Sequence, residues 1–290
     1  MLRPEIVEPR TVEEAVAALR RNRGAMVLAG ATDLIPAIRR GLAKPRVLVN
    51  LKRIAGLAAV RRVRRGVSIG ALTTVSETLR STALAEGWPV LVETAREFGS
   101  AQIRSMATVG GNLCNATPSA DLPLPLLVMD ARVQIAGPGG ERELPLCELF
   151  AGANKTTLAA GEIVTAVVVP RMPARSGAAF VRLGVRRAMD LPIAAVAAAI
   201  VLGPDGRRCK RARIALGAVA PTPMRATGAE RMLEEKEVTG ELIGAAAEAA
   251  AGEAKPLSDL RASAEYRREM TAVLARRALE RALRRAGGAV

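Results

Sequence analysis

A chain of 290 residues, half of them apolar, is long enough to bury a substantial core as one large domain or two. It holds no histidine and only three widely separated cysteines, Cys114, Cys147 and Cys209, so histidine-dependent triads, most transition-metal sites, a disulfide framework and an iron–sulfur cluster built by this chain alone are all disfavoured. The formal charge of +15 comes from arginines paired along the whole sequence, from Arg39–Arg40 through Arg186–Arg187 to Arg284–Arg285, with one Trp and one Tyr in all; nucleic-acid binding would want a clustered basic face with stacking aromatics, and a solvated surface that docks acidic partners suits the pattern better.

The elements follow in chain order. Thr11 to Arg21 reads as a helix, with a capping box between Thr11 and Glu14 and with Val12, Ala15, Val16 and Leu19 on one face. AMVLAG (25–30) reads as a short buried strand that ends in a glycine and the polar run Ala31, Thr32, Asp33, and a helical stretch follows to Arg40. VLVNL (47–51) and GVSIG (66–70) read as strands, the second followed by Thr74 and Glu77 at capping-box spacing. Pro89 to Phe98 reads as a helix with proline in its first turn. A hairpin turns on GPGG (137–140), and EIVTAVVV (162–169) is a further strand. PRMPARSG (170–177) marks a boundary, after which 193–202 and 211–219 form a second hairpin across GPDG. Residues 237–254 and 264–285 close the chain as helices, the last with Met270, Val273, Leu274, Ala278 and Ala282 on one stripe. No run of about 18 apolar residues occurs, and the start MLRPEIVEPR lacks the apolar region of a signal peptide, so neither a membrane span nor export is expected and the location expected is cytoplasmic.

One stretch asks for a ligand. ATVGGNLCNATPSAD (107–121) reads as a bare polar loop, in which Gly110 and Gly111 could turn their backbone N–H groups into one concavity. Thr108, Asn112 and Asn115 add side-chain polar groups, and Asp121 an acceptor suited to a ribose or a ring N–H. A tight turn closed by local Asx bonds would explain the same residues. A second such loop, AGATDL (29–34), also sits at a strand end, and two converging polar loops suit a pyrophosphate.

Together LAGATDLIPAIRRGLAKPRVLVNLKRIAGL (28–57), QIRSMATVGGNLCNATPSADLPLPLL (102–127) and the tail SDLRASAEYRREMTAVLARRAL (258–279) resemble the FAD-binding medium subunit of the molybdenum hydroxylases, the xanthine dehydrogenase and carbon monoxide dehydrogenase group. The resemblance implies an α+β fold: a p-cresol methylhydroxylase-type FAD-binding domain at 1–172, in subdomains of about 1–57 and 58–172, then an α+β flavoprotein C-terminal domain at 176–290. It implies FAD as the cofactor. Ala29, Gly30, Ala31, Thr32 and Asp33 match the family's first pyrophosphate loop, Thr108, Gly110, Gly111 and Asn112 its second, and Thr117 and Asp121 the continuation of that motif. Arg182 falls near a lysine that some relatives place by the flavin, where a positive charge stabilises the reduced anionic ring. Two departures stand out: Ala31 occupies a position that is often a second glycine, and Leu191 one that carbon monoxide dehydrogenase-like members give to an aromatic.

The implied function is electron transfer, from iron–sulfur clusters of a small partner subunit, fed by a large molybdopterin-binding subunit, through FAD to NAD or another acceptor. No catalytic side chain and no metal site is expected on this chain. A stand-alone flavin-dependent reductase or oxidase of the same fold is the alternative, and a basic scaffold that has lost its flavin a third reading.

Overall fold

In the computed structural model, residues 4–186 and 188–288 are described, so of the paired Arg186–Arg187 only Arg186 is, and the outermost residues at both ends lie outside the description. The first unit holds β1 (Glu5–Val7), α1 (Val12–Arg21), β2 (Met26–Leu28), α2 (Leu34–Arg39) and β3 (Val47–Asn50), with the strands in the parallel order β1-β3-β2. Central β3 has Val47, Leu48 and Val49 buried, and α1 packs Ala15, Val16 and Ala18 into the same small core. The Thr11 hydroxyl caps α1, although Glu14 reaches back to the N–H of Arg10 rather than that of Thr11. The stretch expected as a buried strand at 25–30 is instead a short edge strand, in which Met26 is 39% and Val27 36% exposed. Its apolar side chains flank only β3, and a three-stranded sheet has too little cover to bury an edge.

The second unit runs through β4 (Val60–Val63), β5 (Gly66–Gly70), α3 (Val75–Arg80), α4 (Thr82–Gly87), α5 (Pro89–Glu97), α6 (Ala101–Met106), α7 (Val109–Asn115) and α8 (Pro123–Val128). It continues with β6 (Arg132–Gly137), β7 (Gly140–Pro145), β8 (Phe150–Gly152), β9 (Lys155–Thr156) and β10 (Ile163–Pro170). An antiparallel sheet of order β4-β5-β10-β6-β7 carries the helices α3 to α8 as a layer, and α3 opens with the expected reciprocal box of Thr74 and Glu77. Leu113, Leu122, Leu124, Leu126 and Val167 join sheet and helices in the largest core.

The third unit is the antiparallel sheet of β11 (Ser176–Leu183), β12 (Ala194–Leu202), β13 (Cys209–Gly217) and β14 (Met224–Arg225), followed by α9 (Thr227–Leu233), α10 (Gly240–Glu253) and α11 (Ala264–Arg285). Every residue of β12 is buried. Its Ala195, Ala197 and Ala199 join the core of the second unit, while Val196, Ala198 and Ile200 join that of α10 and α11, so a sheet covered on both faces explains the unbroken apolar run AAVAAAIVL. On α11, Leu274, Ala278 and Ala282 face this core, but Val273 points outward at 37% exposure; the buried stripe runs through Ala275, Leu279 and Leu283 instead.

Arginine fastens the second and third units together. Asp130, at the end of α8, accepts from Arg225 at 2.9 Å and Arg213 at 3.2 Å, and Arg225 also grips the buried Glu230. At another point of the contact, Arg285 pairs with Glu93 at 2.8 Å and donates to the carbonyl of Ala178 at 2.7 Å. Part of the positive excess thus works inside the fold. Among the described residues no helix is long and apolar enough to cross a membrane.

Candidate functional site: three backbone segments in contact and a buried arginine–aspartate pair

The segment expected as a bare loop holds a helix, α7, over seven of its residues. Thr108 caps α7, its hydroxyl accepting from the N–H of Gly111 at 3.1 Å, so the glycine pair forms the first turn of a helix. Neither N–H of the pair is free, because that of Gly110 donates to the carbonyl of Ala71 at 2.8 Å. Close approach is what requires glycine here. A Cβ at Gly110 would stand 2.6 Å from the Cβ and 2.8 Å from the carbonyl oxygen of Ala71, and one at Gly111 would stand 2.7 Å from the Thr108 hydroxyl and 3.9 Å from the Cβ of Ala29. Neither residue has positive φ.

The 29–33 loop supplies the free amides. Among the described residues, no partner accepts from the N–H groups of Gly30, Ala31, Thr32 or Asp33, while the carbonyls of Ala31 and Asp33 begin α2 by accepting from Ile35 and Ala37. Ala31 lies at φ +65°, and a left-handed residue among successive free N–H groups produces the concave amide arrangement that binds anions. The Ala31 methyl costs about 1–2 kcal/mol there relative to a residue without Cβ, offset in part by the larger unfolded-state entropy of glycine. Gly30 is buried against the next segment, where a Cβ would meet the carbonyl oxygen of Met106 at 2.0 Å. The two loops separated by some seventy residues of sequence therefore touch.

A third segment, residues 71–75, was not singled out from the sequence beyond its capping box. It lies alongside the second: Val75 donates to Ala107, and Val109 to Thr73, each at 2.9 Å. Three buried polar atoms around these segments have no hydrogen-bond partner: Thr73 Oγ1, Asn112 Oδ1 and Asp121 Oδ1. Only one other described side-chain atom, Arg267 Nε, shares that condition. A buried polar atom without a partner costs about 1–3 kcal/mol, so those of Thr73 and Asn112, on two segments that run together, and that of Asp121 farther along the chain ask for polar partners.

Arg182 reaches Asp121 from the third unit. Its Nη1 lies 3.3 Å from Asp121 Oδ2 and donates to the carbonyl of Glu97 at 3.3 Å, and its Nη2 donates to the carbonyl of Asp190 at 2.5 Å. Burial pushes the Asp121 carboxyl up to about 7; Arg182 opposes this and Glu97 adds to it. The carboxyl of Glu97 is raised too, first by burial. Glu97, Arg182, Gly184, Arg186 and Asp190 line a cavity of about 370 Å³ beside the pair. Leu191 and Met189 are half exposed, and Val185, in the cavity lining, is more exposed still. The structure thus brings together Ala29, Gly30, Thr108, Gly110 and Gly111 at one place and Asp121 with Arg182 at another, while Thr117 contacts Ser119 at 3.3 Å. Sequence reasoning missed Thr73 and Glu97, neither of which lies in a glycine motif.

Comparison with known proteins shows the family. A family described as the FAD binding domain in molybdopterin dehydrogenase matches residues 2–172, and the CO dehydrogenase flavoprotein C-terminal domain matches residues 179–282. The chain belongs to this family of FAD-binding subunits. It is 37% identical to the carbon monoxide dehydrogenase medium chain of Afipia carboxidovorans over 96% of both chains. It is also 35% identical to the 6-hydroxypseudooxynicotine dehydrogenase complex subunit alpha of Paenarthrobacter nicotinovorans, over 90% of this chain and 88% of that one. A structure of reconstituted CO dehydrogenase from Oligotropha carboxidovorans contains a chain that superposes with a TM-score of 0.93 at 34% identity, covering 98% of each. As a member of the family the chain is an oxidoreductase subunit that takes FAD.

Proposed function

We propose that this chain carries electrons within a molybdenum-containing hydroxylase or dehydrogenase. In this reading they arrive from iron–sulfur clusters of a small partner subunit, themselves fed by a large molybdopterin-binding subunit, and leave through FAD to NAD or another acceptor. The observation that carries the reading is a loop of four free amides at 30–33 whose Gly30 abuts the start of α7, with Thr73 Oγ1 and Asn112 Oδ1 buried and unpaired on the segments that adjoin that start.

The residues divide the work. The N–H groups of Gly30, Ala31, Thr32 and Asp33 would hold the pyrophosphate, and Gly110 and Gly111 would let α7 pack close enough to complete the cradle. Thr108 keeps that helix start in place, and Asn112, Thr117 and Asp121 offer polar atoms to the sugar or ring end. Arg182 would set a positive charge near that end while holding Asp121. Bound FAD supplies the redox chemistry, since it accepts electrons singly and gives them up as a pair. This chain cannot supply cluster ligands of its own, because its three cysteines form no cluster-binding group with one another and it has no histidine.

The test is co-expression with a large molybdopterin-type and a small ferredoxin-type subunit, followed by anaerobic addition of substrate. Bleaching of the flavin band in the complex, and none in the lone chain, is the expected result. Turnover of an organic substrate by the lone chain at an ordinary enzymatic rate would replace this reading with a self-sufficient flavoenzyme.

A further inference from the structure

Arg267 stands on α11, far in sequence from every glycine loop, yet only 4% of it is exposed. Its Nη1 donates to the carbonyl of Ile193 at 2.6 Å and to that of Ala218 at 3.2 Å, and its Nη2 donates to Asp259 at 2.8 Å. Both carbonyl-bearing residues lead on to the Asp121–Arg182 pair. The N–H of Ile193 donates at 2.7 Å to the carbonyl of Leu183, the neighbour of Arg182. The N–H of Ala218 donates at 2.7 Å to the carbonyl of Pro118, within the segment that ends at Asp121. Ala218 also sits at φ +63°, a conformation that a residue with a Cβ keeps only when its surroundings impose it. One planar, buried guanidinium therefore fixes both stretches of chain whose side chains meet as Asp121 and Arg182.

The geometry points to Arg267 as a positioning residue for the proposed cofactor site: through Ile193 and Ala218 it holds Arg182 against Asp121 and so sets the shape in which the chain receives the flavin. This rests on the proposal that the Asp121–Arg182 pair faces FAD. Arg285 provides the internal comparison, because it also bonds a strand carbonyl, that of Ala178, and an acid, Glu93, across the same two units, but its partners lie at the far end of β11 from Arg182.

The test is a double-mutant cycle on FAD affinity in the full-length chain, read by quenching of flavin fluorescence. Arg267→Met is expected to weaken binding about tenfold or more, Arg267→Lys to recover part of the loss, and Arg285→Met to stay within about twofold of wild type while lowering the melting temperature. In an Asp121→Ala background, Arg267→Met should add less than about threefold, because the pair through which it acts is already broken. Equal losses in both backgrounds, or a loss from Arg285→Met as large as that from Arg267→Met, would overturn the proposal. Should Arg267→Met fail to fold, Arg267→Lys carries the same cycle with the same criterion. Unchanged FAD affinity in the Asp121→Ala variant alone would instead refute the placement of FAD at the pair, which separates the two failures.

Discussion

Gly30 and Met106 meet backbone to backbone: a Cβ on Gly30 would stand 2.0 Å from the Met106 carbonyl oxygen and 3.1 Å from the Cα of Ala107. That contact seats the loop of free amides against the start of α7, so the cradle has a fixed floor. Gly30→Ala should therefore separate the two loops, costing about 1–3 kcal/mol by overpacking and lowering the flavin content of the purified protein. Thermal unfolding and the ratio of absorbance at the flavin and protein bands check both halves of the expectation.

Ala31 invites the opposite experiment. At φ +65° its methyl is strained, and Ala31→Gly removes that strain while adding unfolded-state entropy. The balance should favour the variant by up to about 1 kcal/mol, or a few degrees in melting temperature, with flavin retained. A lower melting temperature would mean that Ala31 does not hold the left-handed conformation.

Gly111→Val should abolish flavin retention, because even the first carbon of the new side chain displaces the Thr108 hydroxyl that caps α7 and a branch extends towards Ala29. Losing such a cap costs about 1 kcal/mol by itself. Cys114→Ser, a neighbouring change in the same helix, should leave flavin content unchanged. Equal occupancy in wild type and folded Gly111→Val, compared by circular dichroism and visible absorbance, would remove this loop from the site.

Asp121 predicts a pH dependence of the flavin-free protein. Burial holds its carboxyl at about 7, above the unfolded value of about 4, so between those values the folded chain keeps a proton that the unfolded chain has released. The stability it contributes is full below about pH 4 and is lost as pH rises to about 7. Asp121→Asn cannot ionise, and urea unfolding between pH 4 and 8 should show the wild-type decline flattened in the variant. Parallel profiles would assign the slope to other groups.

The thiols should differ sharply. Burial pushes Cys114 and Cys209 each up to about 12, which leaves them protonated at neutral pH, whereas Cys147 is exposed. A disulfide reagent at pH 8 should titrate one thiol in the native chain and three after denaturation, and a second fast-reacting thiol would contradict the packing around α7 or β13.

The sequence by itself determined the local elements and the chemistry the chain lacks. Thr74 and Glu77 announced a helix start, GPGG and GPDG announced two hairpins, and the missing histidines ruled out most alternatives, because such signals depend on neighbours a few residues apart. Tertiary structure alone decided the rest. That VGGN opens a helix was hidden because its glycine contacts involve the distant Ala71 and Ala29, and a glycine pair in isolation looks the same in a loop. The exposure of Met26 and Val273 follows from what packs beside them, which no periodicity records. The candidate site itself depends on separations of some seventy residues between Gly30 and Met106 and sixty-one between Asp121 and Arg182. Chain geometry fixes local hydrogen bonds, but which distant backbones approach closely enough to exclude a Cβ is settled only when the three units pack against one another.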